Sequence, residues 1–237
     1  MSFFSGIFAY LNALRGISSY RLGTQVLIAG LISLVLGAAT YFIVFYFGDD
    51  LGQQLIDLYP FEKGKNIMSG IAGWLSRILL GLLVFFIYKY LLLIVLSPIL
   101  SIISEKVEVS LTGDRGKRFS LFGEIFRAIR FNARNLYKEI FYTIILLLVG
   151  FIPAFSPFAP IAIFLVQGYY LGLGFMDFFM ERHFTYRESI RLGKDNRLWL
   201  SGLGAATGLT LLLPVLGFFI APILATIAAT EFGIKKY

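Results

Sequence analysis

The stretch "GFIPAFSPFAPIAIFLVQGYY", residues 150–170, sets Pro153, Pro157 and Pro160 within eight residues in one of the most apolar parts of the chain. Proline lacks the backbone donor and its ring clashes with the preceding turn, so a straight helix does not pass through three of them. The uncharged pieces on either side are short: 13 residues between Glu139 and Pro153, about 20 Å of helix, and 16 in Ile161–Met176. A hydrocarbon core is roughly 30 Å thick. The reading is therefore a proline-centred turn at membrane depth, from which the chain returns to the side it entered. A related pattern recurs in "LTLLLPVLGFFIAPILATIAAT", residues 209–230, with Pro214 and Pro222 as its turn residues and arms Leu198–Leu212 and Ile223–Thr230. Full spans kinked by proline are the alternative. Backbone groups freed at such turns need partners, which predicts that the tips are sheltered inside an assembly.

Composition frames this pattern. Of 237 residues, 58% are hydrophobic and 15% charged, and the mean hydropathy is +0.80, which excludes an ordinary water-soluble domain. With no cysteine there are no disulfides, thiolate metal sites or thiol nucleophiles. The expectation is an all-α integral membrane protein forming a single domain over 1–237.

Outward from the prolines, "FFSGIFAYLNAL" spaces Phe3, Ile7, Tyr10, Leu11 and Leu14 as one helical face, which predicts an interfacial helix over 1–18. The uncharged run Leu22–Phe47, about 39 Å as helix, predicts a first span over 22–47 ended by Gly48, Asp49 and Asp50, and its length argues against a cleaved leader. A second long helix is expected over 67–112, either kinked at Pro98 or leaving the bilayer in its C-terminal part; the second outcome is favoured by the charged residues that follow. The first hairpin takes 119–183 and begins with a basic amphipathic helix; the second takes 186–235. Apart from Lys63, Lys65, Arg77 and Lys89, the other 17 of the 21 basic residues fall on one face of this arrangement. The positive-inside rule makes that face, and both termini, cytoplasmic.

Enzyme signatures are sparse. His183, the only histidine, stands beside Glu181 and Arg182 and reads as solvated or facing headgroups, and "GDRGKRFS" lacks phosphate-loop spacing. No catalytic residue, metal or cofactor is expected. Four features suit an anion instead. Ser18, Ser19 and Arg21 precede the first span, where free N–H groups and a guanidinium could hold an oxyanion; a serine cap with an interfacial arginine is the plainer reading. Lys89 has 11 uncharged residues before it and 15 after it, so it faces a cavity or partner charge unless it snorkels. Glu105 and Glu108 would repel a divalent anion and are expected to neutralise arginines. The stripes Arg127/Arg130/Arg134/Lys138 and Arg187/Arg191/Lys194/Arg197 suit anionic lipid headgroups or an electropositive vestibule; nucleic acid is a poor explanation because both are tied to membrane hairpins.

Taken with these residues, "SPILSIISEKVEVSLTG" (Pro98, Glu105, Glu108, Thr112, Gly113), the two proline turns and "AAT" at 228–230 make the chain resemble the CysZ family of bacterial sulfate permeases, which shares a superfamily with the eukaryotic etoposide-induced autophagy protein. The resemblance implies two long transmembrane helices plus two hemi-penetrating helical hairpins, assembled as homo-oligomers in the bacterial inner membrane. It implies sulfate uptake for cysteine synthesis. It also implies an anion site where the family carries a Gly-Leu/Ile-Arg-Arg type motif; this chain reads Ser19-Tyr20-Arg21-Leu22 there, keeping one arginine. A non-transporting membrane-shaping scaffold of the same superfamily is the rival function, because half-inserted hairpins also suit wedging into one leaflet.

Overall fold

The computed structural model describes residues 2–57, 88–114, 120–213 and 216–237, and among them all regular structure is helical. In chain order the helices are α1 (Phe3–Ser19), α2 (Gly23–Asp57), α3 (Tyr88–Val95), α4 (Ser97–Thr112), α5 (Leu121–Gly150), α6 (Ala159–His183), α7 (Tyr186–Asp195), α8 (Arg197–Leu211) and α9 (Leu216–Lys236). The chain is an all-α membrane protein. Two of its helical stretches, Gly23–Phe42 and Ala159–His183, are long and apolar enough to cross a bilayer, and α3 with α4 would be a third if they form one broken span.

Ser2 starts α1 by accepting a hydrogen bond from the Ser5 N–H at 3.3 Å. Gly6, Tyr10, Ala13 and Gly16 form its buried face against α8 and α9, whereas Phe4, Phe8, Leu11 and Leu14 point outward. A helix apolar on both faces has protein on one side and lipid to meet on the other. α1 closes in a Schellman motif: the Leu22 N–H donates to the Ile17 carbonyl at 3.0 Å and the Arg21 N–H to the Ser18 carbonyl at 3.2 Å. This places Arg21 in the left-handed region, φ 52°, where glycine is the usual occupant.

The helix carrying the first span outruns the expected 22–47, while its stretch apolar enough to cross a bilayer is Gly23–Phe42. α2 continues as helix through Gly48, Asp49 and Asp50 to Asp57, because glycine and aspartate each cost a helix interior only about 1 kcal/mol or less, too little to end it. Its apolar side chains, among them Leu27, Leu31, Val35 and Phe42, are mostly exposed, and its contacts are chiefly with α9. Of the expected helix over 67–112, residues 67–87 lie outside the described residues; the remainder is α3 and α4, bent by 63° at Leu96. Pro98 sits in the first turn of α4, where its missing donor removes no internal hydrogen bond. Gly113, φ 77°, ends α4 in the left-handed cap that glycine adopts without strain.

The basic amphipathic segment and the apolar arm after it are one 30-residue helix, α5. Turns over residues 151–158 lead from α5 into α6; Pro153 and Pro157 lie in them, and Pro160 occupies the first turn of α6. The segment expected as a second hairpin, 186–235, is less like 119–183 than its sequence suggests, and α6 is itself long and apolar enough to cross a bilayer. Pro222 does not sit in the turn but inside α9, and Pro214 lies outside the described residues. Ala221 and Ala225, on either side of it, are fully buried, and the Thr226 hydroxyl donates to the Pro222 carbonyl at 2.8 Å. One lost hydrogen bond is thus held within well-packed surroundings.

The centre is made by α6 crossing α8, with α1, α4 and α9 around them. Small residues set the spacing, as in helix pairs without a water-driven collapse. A Cβ on Gly204 would lie 1.9 Å from the Gly168 carbonyl oxygen, and one on Gly202 would lie 1.9 Å from that of Phe3. Trp199 of α8 stacks on Phe232 of α9 with ring centres 3.8 Å apart.

Candidate functional site

The last turns of α6 carry Asp177, Glu181, Arg182 and His183 into contact with α4 and α5. Arg127 of α5 reaches across with Nη2 donating to Asp177 Oδ1 at 2.9 Å and to the Ser189 hydroxyl at 3.1 Å, and its Nε lies 3.9 Å from Glu181. Arg182 is buried. Its Nε donates to Glu108 Oε2 at 2.8 Å, Nη2 to the Ser104 hydroxyl at 2.6 Å and Nη1 to the Phe178 carbonyl at 2.7 Å. His183 Nε2 meets the other Glu108 oxygen at 2.5 Å. The Ser101 hydroxyl lies between Glu181, at 3.0 Å, and Glu124, at 3.2 Å. Burial pushes the Glu124 carboxyl up; Ser101 and Arg182 oppose this, and Glu105 adds to it.

Glu108 therefore does what the sequence suggests, neutralising an arginine, but the arginine is Arg182, which sequence reading did not single out. Glu105 is half-buried one turn earlier and also has an interaction partner. His183 is exposed, and its Nε2 is also bonded to Glu108, because α4 runs beside the C-terminal end of α6.

Lys89 is fully buried and pairs with the equally buried Glu139 of α5, to which the Tyr90 hydroxyl also donates. The snorkelling reading is thereby excluded. Asn132, Asn135, Glu139 and Thr143 follow one another at three- and four-residue spacing, so α5 carries a buried polar stripe. Asn132 Oδ1, Asn135 Nδ2 and Thr143 Oγ1 have no hydrogen-bond partner along it. Groups of this kind in an apolar helical protein are costly and mark function.

At the junction of α1 and α2 the three expected anion ligands lie within one turn, where the Arg21 N–H donates to the Ser18 carbonyl. Ser18 and Ser19 belong to the C-terminal turn of α1, and the Ser19 hydroxyl is spent on the Arg15 carbonyl at 3.0 Å. Leu22, not a serine, precedes α2 and accepts from Val26 N–H at 2.9 Å. Ser18, Ser19 and Arg21 are all exposed, and Arg21 stands next to the start of α2, where a Cβ on Gly23 would meet nothing within 4 Å.

The basic stripe of α5 divides. Arg127 is committed to carboxylates, and Arg130 lies over the Tyr186 ring, 4.5 Å from its centre. Arg134 and Lys138 instead line a cleft of about 540 Å³ between α5, α6, α7 and α8, joined there by Lys194, Arg197, Ser201, Tyr142, Tyr169 and Tyr170. Two residues of each basic stripe, Arg134 and Lys138 of one and Lys194 and Arg197 of the other, thus share one cleft. Among the described residues, no group of three or more histidine, cysteine or acidic side chains is arranged to hold a metal.

The fold and its buried ion pairs define an all-α integral membrane protein. The chain belongs to the family described as "Sulfate transporter CysZ/Etoposide-induced protein 2.4", whose profile matches residues 9–222. At family level this supports a sulfate-transporter-like function, with an anion as substrate.

Proposed function

We propose that the protein is an inner-membrane permease for sulfate or a related tetrahedral oxyanion, feeding sulfur assimilation and cysteine synthesis, with cytoplasmic termini and a homo-oligomeric assembly. The observation that carries this reading is Arg21: a charged side chain held in a left-handed backbone conformation and exposed beside the open first turn of α2. The N–H groups of Gly23, Thr24 and Gln25 have no intrahelical partner, and with the positive helix end they suit an oxyanion. The guanidinium adds charge-assisted donors as the anion sheds water. Ser18 and Ser19 then act by closing α1 and aiming this corner, not as ligands. Beyond it, Lys89, Glu108 and Arg127 are neutralised by Glu139, Arg182 and Asp177, a framework that holds polar groups among apolar helices without fixing a free charge against the anion.

Uptake of radiolabelled sulfate into proteoliposomes tests this. A hydrogen bond to a charged group contributes about 1.5–3 kcal/mol, so Arg21→Ala is expected to weaken sulfate affinity by roughly 10- to 150-fold. Arg21→Gly, which suits the backbone better, is expected to lose transport equally. Flux equal to that of empty vesicles overturns the transport reading, and liposome tubulation without flux points to the membrane-shaping one. Full sulfate binding by both variants overturns the role given to Arg21.

A further inference from the structure

We propose that the cleft between α5, α6, α7 and α8 binds the phosphate group of an anionic phospholipid, at a site separate from the Arg21 corner. Three elements bring four cations to it: Arg134 and Lys138 one helical turn apart on α5, Lys194 near the end of α7, and Arg197 opening α8. None of the four is in an ion pair among the described residues, although Lys89, Arg127 and Arg182 each are. Their mutual repulsion is expressed at Lys138, whose ammonium is held below the ordinary lysine range by Arg134 first, then by burial and by Lys194. Cations gathered in this way call for an anion between them.

The first turn of α8 adds to the field. Asn196 precedes it but makes no side-chain cap, since its Oδ1 accepts from Lys236 and its amide donates to the Leu192 carbonyl and the Tyr237 hydroxyl. The leading N–H groups of α8, beside Arg197 and Ser201, are left to a ligand or to water. Tetrahedral oxyanions share this chemistry whether free or esterified. The rest of the cleft favours the ester: Leu165, Val166 and Leu198 form apolar walls, and Phe141 and Ile145, one and two turns beyond Lys138, continue as exposed apolar surface along α5. A phosphodiester would seat its charge among the cations and lay its chains on that surface. Tyr142 and Tyr169 supply the amphipathic rings found where headgroups meet acyl chains.

The test uses the full chain in neutral detergent, with thermal unfolding followed during titration by dioctanoyl phosphatidylglycerol, dioctanoyl phosphatidylcholine or inorganic phosphate. Phosphatidylglycerol is expected to raise the midpoint and phosphatidylcholine to leave it unchanged. Each basic residue near an anionic lipid contributes about a factor of five, so Lys138→Gln/Lys194→Gln is expected to weaken phosphatidylglycerol by about 25-fold. Lys138→Arg/Lys194→Arg is expected to keep it. Protection by inorganic phosphate to the same plateau, lost in the glutamine variant, would keep the oxyanion site and overturn the lipid as its occupant. Equal response to both lipids, no response to any probe, or an undiminished response in the glutamine variant would overturn the site. Because no sulfate flux is read and Arg21 is untouched, failure here leaves the transport reading standing, and the reverse holds.

Discussion

The Glu108–Arg182 pair offers the sharpest quantitative test of how this protein holds charge in its interior. Glu108→Gln leaves the Arg182 guanidinium with the Ser104 hydroxyl and the Phe178 carbonyl but no directly bonded carboxylate, and it sets an amide NH₂ toward either Arg182 or His183. Both members of the pair are only 3% exposed, so water does not compensate. Removing one partner from such a pair costs about 3–5 kcal/mol. Arg182→Met is milder. Glu108 then retains the His183 contact, Ser104 retains Thr230 at 2.6 Å, and the Phe178 carbonyl retains its helical environment, which puts the loss at about 2–3 kcal/mol. In Glu108→Gln/Arg182→Met neither charge remains, and the double variant is expected to be more stable than Glu108→Gln alone, with a coupling energy of at least about 2 kcal/mol. Equilibrium unfolding of the three variants in mixed micelles, titrated with a denaturing detergent, measures each term. Losses that add to within about 0.5 kcal/mol would refute the reasoning, as would a Glu108→Gln cost below about 1 kcal/mol.

At the α6–α8 crossing, Gly204→Ala must move its new Cβ from 1.9 Å to about 3.4 Å from the Gly168 carbonyl, a backbone atom that cannot rotate away. A loss of about 1–3 kcal/mol is expected from overpacking, read by the same unfolding assay, whereas Gly23→Ala, with open space, is expected to change stability by under about 1 kcal/mol. The start of α7 carries a capping box in which Thr185 donates its backbone N–H and its hydroxyl to the Glu188 carboxylate, both at 2.8 Å. These bonds hold the Glu188 carboxyl below its ordinary range, so their contribution is complete above the ordinary carboxylate value and is lost as pH falls through the folded one. Protection of the first-turn amides of α7, taken as exchange relative to the intrinsic rate at each pH, is expected to fall on acidification in the natural chain and to be low at both pH values in Thr185→Val; pH-independent protection in the natural chain would refute this.

What the sequence makes legible are features that repeat over a helical period or break it abruptly. The apolar face of α1, the basic stripe of α5 and the break at Pro153–Pro157 are of this kind, because each follows from the steric and solvation preferences of residues close in the chain. Pro222 defeats the same logic. Its match to Pro160 is real as sequence, but α8 ends at Leu211 and α9 is already helical from Leu216, so the packing of Ala221 and Ala225 decides the outcome. The candidate site is harder still, since its partners are distant: Lys89 from Glu139 by 50 residues, Glu108 from Arg182 by 74. Lys89 and Glu108 could be marked as needing partners from their surroundings, but no periodicity names those partners. Asp177 and Glu181, four apart at the end of an apolar run, carried a weak local signal that they share a face.

Charge in this protein is partitioned, and the partition bears on function more directly than any single residue. Among the described residues, the buried cations Lys89 and Arg182 and the partly buried Arg127 all meet carboxylates where α3, α4 and α6 approach α5 or one another. Carboxylates in this interior outnumber the cations they meet, for Glu124 and Glu181 share Ser101 beside two arginines that already hold Asp177 and Glu108. The cations of this region are already bonded to carboxylates, so it offers a divalent anion no uncommitted partner, which argues that it provides structure and not a resting place for sulfate. Outside that interior, four cations gather in the α5–α8 cleft and Arg21 stands at the α1–α2 corner, on a chain of net charge +7. Random surface charge would be dispersed and interleaved with acids; here the cleft gathers four cations among tyrosines with no acid lining it. Such a field falls off within about 10 Å at moderate salt, so the anion that neutralises it has to enter the cleft itself.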